Sequence, residues 1–170
     1  MRTKVTLFLA LAIVMMVGCD ELLNLIKFNT GDYAFEFKMD PTTAGTHIID
    51  EDTVTTSIEE LLAENDVSAD DLKEATLKKA NITILSGADN FNKLDTVKIY
   101  IGALGMPYVI AGASVTIPKD TNQYALPINN VNMLDYLTAK DFWVRFEATL
   151  NEDVTDTVYF ETTLNFELSL

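Results

Sequence analysis

The residues able to do chemistry are few. The chain has a single histidine, His47, and a single cysteine, Cys19. A zinc site normally needs several nitrogen or sulfur ligands, so a metal centre of that kind is excluded. No G-x-S-x-G elbow accompanies His47, and no G-x-x-x-x-G-K-S/T phosphate loop is present. His47 therefore reads as a polar strand residue, and no catalytic residue or cofactor is expected. Carboxylates are plentiful: Asp50, Glu51 and Asp52; Asp70 and Asp71; Glu152, Asp153 and Asp156. A glycosidase needs two of them about 5–9.5 Å apart in a cleft, whereas acidic clusters at turns are ordinarily solvated. Asp89, Asn90, Asn92 and Asp95 place four oxygen-bearing side chains in one loop. Calcium takes such donors, although the spacing is not that of an EF-hand. Asx turns use the same residues, and the sequence leaves both readings open.

Two further sets of side chains could recognise a ligand or accept a modification. Tyr100, Trp143 and Tyr159 fall on the polar phase of otherwise alternating segments. Aromatic rings on an open sheet face can stack on sugar rings, and the competing expectation is that short helices cover them. Asp-Thr-Val occurs three times, with the hydroxyls at Thr53, Thr96 and Thr157. Junctions between turns and strands also produce this triplet.

The cysteine has a context of its own. Arg2 and Lys4 precede Val5 to Val17, a run of 13 apolar or small residues interrupted only by Thr6. A membrane-spanning helix needs about 20 residues, and this shorter run has the length of a signal-peptide core. Gly18 stands before Cys19 and Met16 three residues ahead of it. The segment resembles a lipobox, in which the thiol is alkylated by diacylglycerol before cleavage, with Met16 in place of the usual Leu. The expected organisation is a signal peptide over 1–18, a lipidated cysteine and tether over 19–31, and one domain over 32–170. Two or more acyl chains give durable membrane attachment. With one cysteine there is no intramolecular disulfide, so core packing must hold the domain together.

The net charge is −14, and −16 once Arg2 and Lys4 leave with the signal. That balance excludes nucleic acid as a partner, because phosphate binding needs clustered cations, and it disfavours docking on anionic lipid. With 48% hydrophobic residues, 7 Gly and 4 Pro, the chain is not disordered.

Period-2 alternation dominates the pattern. Tyr33, Phe35, Phe37 and Met39 share one face of a strand starting near Asp32, and residues 46–55 form a weaker one. Thr56-Ser57-Ile58-Glu59 reads as a capping box for a helix over 57–65, and Ser68 with Asp71 caps a turn running to Ala75. Strands follow around Ala80–Ile84, Val97–Ile101, Tyr108–Ile117 and Tyr124–Ile128, the last an edge strand because of Pro127. Gly102 to Pro107 reads as a loop, which argues against a membrane span over 99–117. Asn132 caps a helical segment carrying Met133, Leu134 and Leu137. Phe142–Leu150 and Val158–Leu168 read as a terminal antiparallel hairpin. The fold class is all-β: an immunoglobulin-like antiparallel β-sandwich of seven or eight strands with one to three short helices.

Gly18-Cys19-Asp20-Glu21, the segment Asp89 to Asp95 with the strand Val97 to Ile101, and the alternating strand ending near Leu170 resemble a group of uncharacterised Bacteroidota lipoproteins with a small all-β domain. The resemblance implies a lipid-anchored, non-enzymatic binding or structural role in the cell envelope. Its partner would be a protein or a glycan, as in a carbohydrate-binding surface lipoprotein or a subunit of a surface assembly. It further implies O-glycosylation at Thr53, Thr96 and Thr157. The acidic residues after Cys19 resemble a signal for the outer-membrane surface in that phylum. Asp20 would instead hold an enteric lipoprotein in the inner membrane, facing the periplasm.

Overall fold

A computed structural model describes residues 26–56 and 58–170. The expected signal peptide, Cys19 and residues 20–25 lie outside the described residues, as does Ser57. Eight strands are formed: β1 (Lys27–Met39), β2 (Gly45–Thr55), β3 (Glu74–Ser86), β4 (Leu94–Ala103), β5 (Met106–Ser114), β6 (Gln123–Ala125), β7 (Asp141–Leu150) and β8 (Val158–Ser169). Two helices, α1 (Ile58–Glu64) and α2 (Leu134–Leu137), and a 3-10 turn at Ala69–Asp71 complete the elements among the described residues.

The strands make two four-stranded sheets, β1-β8-β3-β6 and β2-β7-β4-β5, with every pairing antiparallel. This is the sandwich that the alternation predicts. Its pairs β1·β8, β2·β7, β3·β6 and β4·β5 are those of one long antiparallel ribbon. Rolling the ribbon adds the pairs β3·β8 and β4·β7. That connectivity is a jelly roll: the antiparallel sandwich architecture is as expected, and its strand order differs from the immunoglobulin one.

The terminal hairpin is corrected. β7 and β8 follow each other in sequence but lie in different sheets. Each buries a continuous apolar face, and the two faces meet across the core: the rings of Phe146 and Phe160 are 5.2 Å apart and steeply tilted. Burying both faces against each other leaves no edge for direct pairing, and residues 151–157 carry the chain from one sheet to the other.

Phe37 also packs on Phe146, at 5.4 Å, and Phe35, Phe142 and Phe166 continue this buried aromatic layer. Opening one such site by Phe→Ala costs about 3–5 kcal/mol.

Several boundaries move for local reasons. β1 starts at Lys27, ahead of Asp32, because a bulge between Asn29 and Asp32 hides the earlier alternation. The loop over 102–107 tightens to Leu104-Gly105, with Gly105 at φ 78°, a backbone conformation that glycine adopts freely. Ser68 and Asp71 form the expected capping box, but the turn stops at Asp71, since Glu74 and Ala75 already pair with β8. Asn132 Oδ1 accepts from Leu134 N at 3.0 Å and from Ala75 N at 3.1 Å, so it fastens α2 to β3. The Thr56 hydroxyl donates to the Ala139 carbonyl at 3.4 Å. Pro127 follows the short edge strand β6, and its carbonyl accepts from Ala113 N at 3.0 Å. This segment closes one side of the sandwich against β5.

Candidate binding surface

The outer face of the second sheet is where residue types, register and exposure converge. Along β7, Phe142, Val144, Phe146 and Ala148 are buried, which turns Trp143, Arg145, Glu147 and Thr149 outward. The neighbouring strands line up with them in rungs. Thr53, Trp143 and Gly102 form one rung; Glu51, Arg145 and Tyr100 the next; Ile48, Glu147 and Lys98 a third; Thr46, Thr149 and Thr96 the fourth. Alternation thus gathers three strands' polar and aromatic side chains on one surface.

Arg145 organises the centre. Its Nε and Nη2 each lie 2.8 Å from Glu51 Oε2, and the Tyr108 hydroxyl donates to the same oxygen at 2.6 Å. The guanidinium stands over the Tyr108 ring, 3.8 Å from its centroid, a cation–π contact. The Tyr108 hydrogen bond, helped by Arg145, holds the Glu51 carboxyl below the usual carboxylate range. Burial, and then Glu51, push the Tyr108 hydroxyl up. Beside this group Lys98 Nζ lies 2.7 Å from Glu147 Oε1, which raises the lysine. The Tyr100 hydroxyl donates to the same oxygen at 3.3 Å.

Tyr108 comes from β5 and crosses β4 to reach Glu51 on β2. It can do so because residue 102 is glycine: a Cβ there would sit 2.8 Å from Tyr108 Cε1. Sequence reading missed Tyr108. The available signal was a glycine inside an alternating strand, which marks a close approach.

The three aromatics expected to stack on a ligand divide between the two sides of the sandwich. Tyr100 and Trp143 share this face and are half-buried. Tyr159 is 42% exposed, but it lies on β8 in the other sheet, opposite Lys38 and Ser86. One flat platform cannot include it. The three threonines also separate. Thr53 is exposed on this face, Thr96 is half-buried at its far rung, and Thr157 sits between β7 and β8 with its hydroxyl 3.5 Å from Asp40 Oδ1.

The loop with calcium-like donors is held by the chain's own cation. Lys119 Nζ bonds the Leu94 carbonyl at 2.5 Å, Asp95 Oδ1 at 3.0 Å and the Asn92 carbonyl at 3.3 Å. Asn151 Nδ2 donates to Asp95 Oδ1 at 2.9 Å. Lys119, and then Asn151, lower the Asp95 carboxyl. Of the four side-chain donors, Asp95 is thus bound by an ammonium, and Asn90 Oδ1 accepts from Asn92 N at 3.1 Å. Among the described residues no group of three or more His, Cys, Asp or Glu is placed to hold a metal. His47 Nε2 contacts the Thr43 carbonyl at 2.8 Å, a local tie within the turn before β2.

The other acidic clusters serve the backbone. Asp50 Oδ1 accepts from Glu51 N and Asp52 Oδ1 from Thr53 N, both at 2.8 Å, and Asp153 Oδ1 accepts from Ala44 N at 2.8 Å. A cavity of about 60 Å³ at the loop end of the sandwich is lined largely by Met39, Ile84, Leu94, Val158 and Phe160, with Asp156 its one carboxylate. Among the described residues no helix is long and apolar enough to cross a membrane.

Fold and surface together define an eight-stranded jelly-roll sandwich with a pre-organised aromatic and ion-paired sheet face. No family model matches the chain, and no curated protein matches it. Among solved structures it is similar to infectious bursal disease virus Gt strain, at 10% identity over 85% of this chain and 33% of that one, TM-score 0.35. The chain therefore spans about a third of that viral chain's length. It is also similar to the BFDV capsid protein of a decameric crystal structure, at 10% identity over 85% of this chain and 99% of that one, TM-score 0.40. A third likeness is to carbohydrate-binding modules from the β-sandwich superfamily, at 11% identity over 83% of this chain and 55% of that one, TM-score 0.36. At these scores the likenesses carry no argument about function.

Proposed function

We propose that this chain is a non-enzymatic, lipid-anchored protein of the cell envelope that presents the outer face of its second sheet as a binding surface. The observation that carries the binding role is the arrangement around Arg145. Two tyrosines, two carboxylates and two cations are fixed by hydrogen bonds of 2.6–3.3 Å on an open sheet rather than inside the core. Groups already held in place lose little conformational freedom on binding. Asp50, Asp52 and Asp153 cap backbone amides rather than converging on a cleft.

The anchor rests on Cys19 and its lipobox-like context. Acidic residues behind it favour the outer membrane, with inner-membrane retention facing the periplasm as the alternative. Of the three Asp-Thr-Val threonines, Thr53 is the most accessible and the first candidate for O-glycosylation.

The alternative of a structural subunit that accepts a neighbour's strand needs an open edge. The β2 edge carries Asp50 and Asp52 folded onto the amides of Glu51 and Thr53. The β5 edge is covered by residues 127–129, with Asn129 N donating to the Ala111 carbonyl at 2.9 Å. Both arrangements discourage strand addition.

Mass spectrometry of the intact protein from its native membrane, compared with Cys19→Ala, tests the anchor. A diacyl or triacyl mass on Cys19 that disappears in the variant is expected. An unlipidated product cleaved elsewhere would refute the anchored reading.

A further inference from the structure

The free hydrogen-bonding groups on this face point to one class of ligand. Among the described residues, the ion pair and side-chain hydrogen bonds of Glu51 all meet at its Oε2, and those of Glu147 at its Oε1. These contacts leave the second carboxylate oxygens, Glu51 Oε1 and Glu147 Oε2, as acceptors for a ligand, and the half-buried Trp143 brings an indole N–H donor to the same face. The exposed Thr53 hydroxyl, one rung position from Trp143, can do either. The same pairs neutralise the charge: two cations face two carboxylates, each within 2.7–2.8 Å. On a chain of net charge −14 the centre of this face is ion-paired, and the carboxylates of Asp50 and Asp52, which bond backbone amides, stand at its β2 edge.

An anionic polymer finds no unpaired cation at the centre of this face, and a basic peptide finds carboxylates without a cation partner only at the β2 rim, on Asp50 and Asp52. A purely apolar partner would bury these four hydrogen-bonding groups without satisfying them, which is costly. A ligand dense in hydroxyls, without charge, and with flat C–H faces matches both the free groups and the rings. Trp143 and Tyr100 are diagonal neighbours across β7 and β4, a separation of about 7–8 Å between backbone positions. This places two rings on one sheet face.

Resting on the reading of this face as the binding surface, we infer that its ligand is a neutral polysaccharide bound along its chain. Trp143 and Tyr100 stack on sugar rings, and Glu51, Glu147 and Thr53 bond their hydroxyls.

Affinity electrophoresis of the purified full-length protein through gels containing soluble β-glucan, α-mannan, xylan or anionic polygalacturonate tests this. Trp143, the sole tryptophan, reports binding by its fluorescence. Retardation by at least one neutral polymer is expected, with a shift in Trp143 emission. Trp143→Ala and Tyr100→Ala each weaken binding by about tenfold, the effect of removing one aromatic stack. Thr53→Asp, at an exposed position where folding is not at stake, weakens it as well. Tyr159→Ala, on the other sheet, binds like the wild type. Retardation by no neutral polymer, by polygalacturonate alone, or equally by wild type, Trp143→Ala and Tyr100→Ala would overturn the inference. Lipid on Cys19 is read separately, so loss of glycan binding with the lipid present refutes the ligand class and leaves the anchored-domain reading standing.

Discussion

Thr162 sits on β8 with no exposed surface, between Phe35 and Ile82 on the flanking strands, and its hydroxyl has no hydrogen-bond partner. A buried unpaired hydroxyl costs free energy that a methyl of the same shape does not. Thr162→Val is therefore expected to stabilise the domain by about 1 kcal/mol, read as a higher midpoint in chemical denaturation; a lower midpoint would mean that the hydroxyl has a partner in solution. Charged residues behave differently. Glu51 is lowered by Tyr108 and Arg145, Asp95 by Lys119 and Asn151, Asp32 by Lys79 and Asn165, and Glu167 by Lys27 and Lys78. A carboxyl lowered in the folded state contributes stability that is present above its unfolded value and lost as pH falls through the folded one. The melting temperature is therefore expected to hold from neutral pH down to the ordinary glutamate value of 4.5 and to drop below it. Glu51→Gln should flatten that drop. Lys98 is raised from 10.5 by Glu147, so its contribution is lost only in strong alkali.

Among the elements, β2 shows how an edge strand is kept from pairing. Its bulge between Ile48 and Asp50 and the two aspartates folded onto its amides leave a neighbour little to bond. The double variant Asp50→Ala, Asp52→Ala removes that cover and two charges together. Size-exclusion chromatography at raised concentration is expected to show self-association that the wild type lacks; a monomeric double variant would place the protection elsewhere. At this scale the sequence was informative about faces and silent about partners. Alternation in β7 and β8 assigned Phe142, Phe146, Phe160 and Phe166 to the inside and Trp143, Glu147 and Tyr159 to the outside. Yet a period of two says nothing about which strand lies alongside. The same limit put Tyr159 with Tyr100 and Trp143, although the two outer faces look in opposite directions. Tyr108 and Lys119 escaped notice because each acts across strands or loops distant in sequence, on Glu51 and on Asp95.

For the whole molecule, the first and last strands are hydrogen-bonded neighbours, from Lys27 with Ser169 to Met39 with Val158, and β8 lies between β1 and β3. Contacts of such long range make a domain slow to fold, because loop closure must precede the gain from pairing. They also set an order of events. Until β8 is available, β1 and β3 have a gap where their shared neighbour belongs, and the first sheet cannot assemble. A chain made from its N-terminus forward therefore closes this sheet only after β8 has emerged, whatever its other strands have done before.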